Sequence, residues 1–155
     1  MSQILKVLSW LFFSSAMLGC NVAGPGVKGV ITLAPEVDPS AFTTLYLRTF
    51  PAGDEESFDP AVDPMPEVKE ELQDSLSLDT VTFPYTYDLC DEMGGPVDEK
   101  WWRVVAWISA RTDSQAPRSG DYWGTARYPL HDCGIYRGYC TRTSNVDFVI
   151  DTLVP

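Results

Sequence analysis

The sequence predicts a mainly β protein: a single antiparallel β-sandwich of about seven strands, with a short helix in an acidic insertion and a signal peptide ahead of it. Three observations carry this expectation. Short runs of β-branched and aromatic residues recur between Gly-, Pro- and Asp-rich turns, several with period-two alternation. The chain has 155 residues, enough for one domain and short for two. Its hydrophobic content is 45%, with five Trp, seven Tyr and seven Phe, and disordered chains lack such large apolar side chains to bury.

The elements follow in chain order. "VKGVITL" (27–33) is β-branched and bounded by Gly and Pro, which predicts a strand. "TTLYLRTF" (43–50) sets Leu45 and Leu47 against Tyr46 and Arg48 and predicts a second. An insertion over 51–77 comes next. Its first part, "PAGDEESFDPAVDPMP", holds four Pro and five acids and reads as a loop. In "PEVKEELQDSL", Pro66 suits a first helical turn and Val68, Leu72 and Leu76 recur every four residues, so a short amphipathic helix is expected. "TVTFPYTYDL" (80–89) alternates cleanly: Val81, Phe83, Tyr85, Tyr87 and Leu89 face one way, and Pro84 marks an edge or a bulge. "WWRVVAWISA" is apolar on both faces apart from Arg103 and reads as a central strand. "YWGTARY" predicts another strand, and "NVDFVIDTL" a last one with Val146, Phe148 and Ile150 on one face.

Charge narrows the partners. The net charge is −11, and from 36 to 99 there are seventeen acids against two bases, Arg48 and Lys69. Such a surface repels phosphate backbones, so no nucleic acid partner is expected.

The N-terminus opens with one lysine, Lys6, and a thirteen-residue apolar run, "VLSWLFFSSAMLG". That fits the n- and h-regions of a secretory signal over 1–19; a helix crossing a bilayer needs about twenty residues. The run ends in Met17-Leu18-Gly19-Cys20, which resembles the lipobox of bacterial lipoproteins. The resemblance implies cleavage before Cys20, lipid on its sulfur and an acyl chain on its amine. Several acyl chains give stable anchoring where one is marginal. Residues 20–26 then form a lipidated tether ahead of a domain over 27–155. Asn21, which is not Asp, implies by the same resemblance the outer membrane. Cys90, Cys133 and Cys140 remain, an odd number in an oxidising compartment, so one disulfide and one spare thiol are expected. "CGIYRGYC" closes a short loop and favours Cys133–Cys140, while Cys90 with either partner would tie distant segments.

The series "VKGVITL … TLYLRTF … VTFPYTYDL … WWRVVAWISA … SGDYWGTA" is similar to bacterial lipoproteins carrying a transthyretin-like, carboxypeptidase-regulatory-like sandwich. Membership would imply a non-catalytic binding or scaffolding module, with a loop at Gly120-Asp121-Tyr122-Trp123-Gly124. The chain departs from that pattern in its cysteines, its long acidic insertion and the lack of an Asp-rich run in this loop.

Parts for catalysis are few. The lone histidine, His131, lies beside Asp132 and Cys133, and neighbours in sequence diverge in an extended segment, whereas triads are assembled by the fold. One histidine builds no multi-histidine zinc site, and no C-x-x-C spacing occurs. Calcium takes six to eight oxygens, and Asp113 and Asp121 bracket a loop that Asp91 and Glu92 could approach, although Arg118 lies within it. Trp101, Trp107, Tyr122 and Trp123 are the candidates for an exposed aromatic platform that stacks on a sugar or anchors a partner; Trp102 is assigned to the core. Burial of all three platform tryptophans would remove that reading. The expectation is therefore an outer-membrane, lipid-anchored, non-enzymatic module that binds another envelope protein or a glycan. The alternative is a calcium- or carbohydrate-binding module, with a small hydrolase behind both.

Overall fold

Along 44–50, leucines alternate with Tyr46 and Arg48, and this alternation decides how the larger sheet stands. The computed structural model describes residues 26–52, 57–65, 73–90, 101–129 and 143–155, and eight strands form two sheets within them. The smaller contains β1 (Gly26–Leu33), β4 (Tyr85–Cys90) and β7 (Phe148–Ile150), in the order β4-β1-β7. The larger contains β2 (Thr44–Pro51), β3 (Gln73–Ser77), β5 (Trp101–Ser109), β6 (Tyr122–Pro129) and β8 (Thr152–Leu153), in the order β3-β2-β5-β6-β8. Leu45, Leu47, Val104 and Ile108 of the larger sheet and Val27, Ile31, Tyr87 and Ile150 of the smaller share one buried apolar core, the arrangement of a β-sandwich. Trp102 belongs to it, as expected.

Two elements differ from the sequence reading. No helix forms over 73–77: that stretch is β3, and Leu76 lies opposite Leu45. Four-residue spacing is a weak preference in a short segment. The open edge of β2 offers a row of backbone donors and acceptors that a strand satisfies and a helix does not. Residues 66–72 of the expected helix lie outside the described residues. The helical pieces among the described residues are two 3₁₀ turns, Pro39–Ala41 and Leu78–Thr80, and no helix there is long and apolar enough to cross a membrane. The second difference is at the C-terminus, where the single expected strand breaks at Asp151 into β7 and β8. The chain thereby crosses from one sheet to the other and closes that side of the sandwich. β7 runs parallel to β1, as does the isolated bridge between Val27 and Thr143, while the other strand pairings among the described residues are antiparallel.

The entry to β7 shows how that parallel segment is held. Asn145 adopts a left-handed conformation (φ 62°), which asparagine tolerates better than most residues. The chain then dips so that the Val146 carbonyl lies over Gly29, where any Cβ would overlap it. That carbonyl is buried and accepts a 2.7 Å hydrogen bond from the Tyr87 hydroxyl. Asp147 Oδ1 accepts from the Val30 N–H at 2.8 Å, standing in for the carbonyl that the parallel ladder supplies only from Ile31 onward.

Tyr87 and Tyr128 both put hydroxyls in the core, and burial pushes their pKa values far above the usual tyrosine range. The neighbouring Tyr128 and Asp147 raise Tyr87 further. The folded chain therefore keeps two protons that the unfolded chain releases near pH 10. Stability is unaffected by these groups below about pH 10 and is lost as pH rises above it, by up to about 1.4 kcal/mol per pH unit for each group. Alkaline difference spectroscopy is expected to show these two tyrosines ionising only together with the loss of near-ultraviolet circular dichroism.

Candidate functional site

Outward-facing positions of the larger sheet carry Tyr46, Arg48 and Phe50 on β2, Arg103, Val105 and Trp107 on β5, and Trp123, Thr125 and Arg127 on β6. The aromatic residues form a second apolar cluster with Val105 and Val154, separate from the core between the sheets. Trp107 stands at its centre. It stacks on Tyr46 (5.0 Å between ring centroids, 14° between planes) and lies opposite Trp123 in the β5–β6 ladder. The cover comes from the acidic insertion. Phe58 packs on Phe50 at 5.2 Å and edge-on to Trp123 at 6.0 Å, with the Arg103 guanidinium 5.6 Å over its ring, and Met65 joins it. A turn that Asp59 organises shapes this part of the insertion: its Oδ1 accepts from the Ala61 N–H and its carbonyl from Val62.

This arrangement corrects the aromatic platform. Trp107 is 2% exposed and Trp123 7%, so neither presents a face to a ligand. Tyr122 is half-buried and meets Phe42 edge-on. Trp101 alone of the three tryptophans reaches solvent, at 38% exposure, with the Arg127 guanidinium 4.4 Å over its ring. Alternation along β5 distinguishes two faces but does not show that a segment some fifty residues earlier returns to cover one of them.

The loop after β5 folds back over the same face. The Tyr46 hydroxyl donates to the Arg111 carbonyl at 2.8 Å and accepts from the Ser114 N–H at 3.1 Å. The Trp107 indole donates to Ser114 Oγ at 3.2 Å, which in turn donates to the Ala116 carbonyl. The Arg48 guanidinium donates to the Gln115 carbonyl at 2.9 Å. Between this loop and β3 lies a groove of about 330 Å³. Asp74 and Ser75 stand on one side, Thr112, Asp113 and Gln115 on the other, with Tyr46, Arg48 and Trp107 beneath. A second hollow of about 230 Å³ sits under the insertion, between Phe50, Phe58, Asp63 and Arg103. The first groove offers hydrogen-bond acceptors and donors at an open mouth, which suits a polar ligand.

Asp121 does not line this groove. It is 2% exposed, and its two carboxylate oxygens are taken by the Arg111 guanidinium (3.2 Å) and the Arg118 N–H (2.9 Å). Its backbone accepts from Val154, and Gly120, at φ 89°, donates to the Val154 carbonyl, so the loop end is pinned to the C-terminus. Its carboxylate is thus a fastener in this structure, while Asp113 is exposed on the groove wall. Among the described residues no group of three or more His, Cys, Asp or Glu is placed to hold a metal. Asp121→Ala is expected to cost about 1–3 kcal/mol in urea denaturation, the range for losing hydrogen bonds to a charged group, here those from the Arg118 N–H and the part-exposed Arg111 guanidinium. A calcium ion at Asp121 would displace both donors, so Asp121→Asn is expected to leave any calcium heat of the native protein unchanged in calorimetry.

Cys20, Asp91, Glu92, His131, Asp132, Cys133 and Cys140 lie outside the described residues. Cys90 ends β4 opposite Gly26, with its side chain outside them as well. The sequence reading gave no binding role to Arg48, Tyr46 or Asp74, although the outward position of Arg48 and Tyr46 was visible in the alternation of β2.

Comparison of the chain with family models, with curated proteins and with solved structures gives no match.

Proposed function

We propose that the chain is a lipid-anchored lipoprotein of the cell envelope, held at the outer membrane through Cys20, that acts as a non-catalytic binding or structural module for another envelope protein or glycan. The observation that carries this reading is the Met17-Leu18-Gly19-Cys20 run, placed directly after a short apolar segment and six residues ahead of β1. A sandwich entered at Gly26 so soon after the modified residue is a body tied close to its anchor. The resemblance to transthyretin-like lipoprotein domains supports a scaffolding role, and the two-sheet architecture is compatible with it.

Mass spectrometry of the N-terminal peptide of the membrane-extracted protein tests the anchor. The expected species begins at Cys20 and carries acyl chains, and Cys20→Ser is expected to release the protein from membranes. An unmodified N-terminus on a freely soluble chain overturns the reading. Crosslinked pull-down from intact cells then identifies the partner.

The groove between β3 and the 111–118 loop favours a second reading, a carbohydrate-binding module. Its polar walls match the hydroxyls of a sugar, although its aromatic floor is largely covered. Titration with soluble envelope glycan fragments checks this: binding that is weakened by Asp113→Ala supports it, and no binding excludes it. A hydrolase would use the two acids that line this groove, Asp74 and Asp113, and turnover of any glycan would reveal it.

A further inference from the structure

The end of the sandwich at which the chain enters is marked by a continuous series of contacts. Thr143 donates its N–H to the Gly26 carbonyl at 3.0 Å and its hydroxyl to the Pro129 carbonyl at 2.7 Å. Pro129 pairs with Trp101, whose carbonyl accepts from the Ala52 N–H at 2.9 Å. Gly26 and Trp101 therefore belong to the same end, about three strand spacings or roughly 15 Å apart. Trp101 is the tryptophan exposed on that end, at the edge of the larger sheet's outer face, with Arg127 stacked on its ring.

This inference rests on the acylation of Cys20. Six residues from Cys20 to Gly26 span at most about 20 Å when fully extended, so the entry end cannot lie farther than that from the lipid glycerol. Trp101 is then within reach of the headgroup region. Tryptophan favours that depth because its ring is apolar while its indole N–H keeps a polar partner, and arginine lays its stem along apolar surface with its head in water. We infer that the entry end of the sandwich rests on the bilayer, with the Trp101–Arg127 pair as its interfacial contact and the lipid headgroup layer as the partner. The groove beside Asp113 lies toward the other end of β5, where Trp107 and Ser109 stand, and is left facing away from this membrane.

The contact depends on insertion of an aromatic ring more than on charge, since the chain as a whole is acidic. It therefore survives raised salt. After signal removal four of the five tryptophans remain, and Trp102, Trp107 and Trp123 are buried, so emission that responds to lipid reports Trp101.

The test uses the full mature protein, purified from membranes and reconstituted in vesicles of phosphatidylethanolamine and phosphatidylglycerol. Mass spectrometry of the same preparation reports acylation. Headgroup spin-labelled lipids are expected to quench emission, and this quenching is expected to persist at high salt and to be lost in Trp101→Phe. That variant keeps an aromatic ring, and near-ultraviolet circular dichroism checks its fold. Arg127→Gln, a second variant, is expected to reduce the quenching while leaving Trp101 in place. If the protein is acylated but its emission is not quenched by lipid, or Trp101→Phe is quenched as strongly, the orientation is wrong and the anchor stands. Undiminished quenching by aqueous acrylamide on reconstitution means the same, because it leaves Trp101 in water. If the preparation carries no acyl chains, the anchor and the orientation fall together.

Discussion

Gly124→Ala is expected to abolish the native fold or to lower its stability by more than about 3 kcal/mol, a large share of the 5–15 kcal/mol typical of a domain. An added Cβ at Gly124 would overlap the Val149 carbonyl oxygen and come within 2.8 Å of its carbon, and both are backbone atoms of β7. No side chain can rotate aside to make room. Gly29→Ala meets the same obstacle at Val146 on the same C-terminal segment. Two glycines, one on each sheet, thus admit the strand that closes the sandwich, and the paired effect is the signature to look for in urea denaturation. Tyr87→Phe provides the graded control. It removes the donor to the Val146 carbonyl without a clash and is expected to cost about 1–3 kcal/mol. Tolerance of alanine at both glycines would mean that 146–150 does not pack against Gly29 of β1 and Gly124 of β6 as described.

Trp107→Ala is expected to cost about 3–5 kcal/mol, the range for deleting a large buried aromatic. The residue is on the sheet's outer face, where a tryptophan substitution would ordinarily be mild. Here it removes the stack on Tyr46 and the hydrogen bond to Ser114 that helps fasten the 111–118 loop. Trp101→Ala, six residues earlier on the same face, is expected to cost about 1 kcal/mol, because it gives up mainly one exposed stack with Arg127. Denaturant melts of the two variants separate these outcomes. Equal costs would show that the outer cluster is not a second core. Phe58→Ala is expected to fall between them, since it uncovers Trp123 and Phe50 while leaving the sheet intact.

The groove was only partly legible. Tyr46 and Arg48 were visible as outward residues of β2, and the loop from 111 to 121 was visible as polar and rich in turn formers. Its wall at Asp74 and Ser75 was not, because 73–77 carries a helical spacing that the strand edge overrides. Asp121 reads in sequence like a cation ligand; only the folded loop shows its oxygens turned inward to Arg111 and Arg118.

By itself the sequence determined which residues alternate, and so which side of each strand is apolar. Backbone pleating puts successive side chains on opposite faces whatever the rest of the chain does, so Leu45 against Tyr46 and Tyr87 against Asp88 were settled locally. The tertiary structure alone decided what covers those faces. Whether Trp107 and Trp123 are platform or core residues depends on the 111–118 loop and Phe58 arriving from elsewhere, and whether 143–155 is one strand or two depends on backbone room at Gly29 and Gly124. Contacts of that kind are made between segments far apart in the chain, and no local period encodes them.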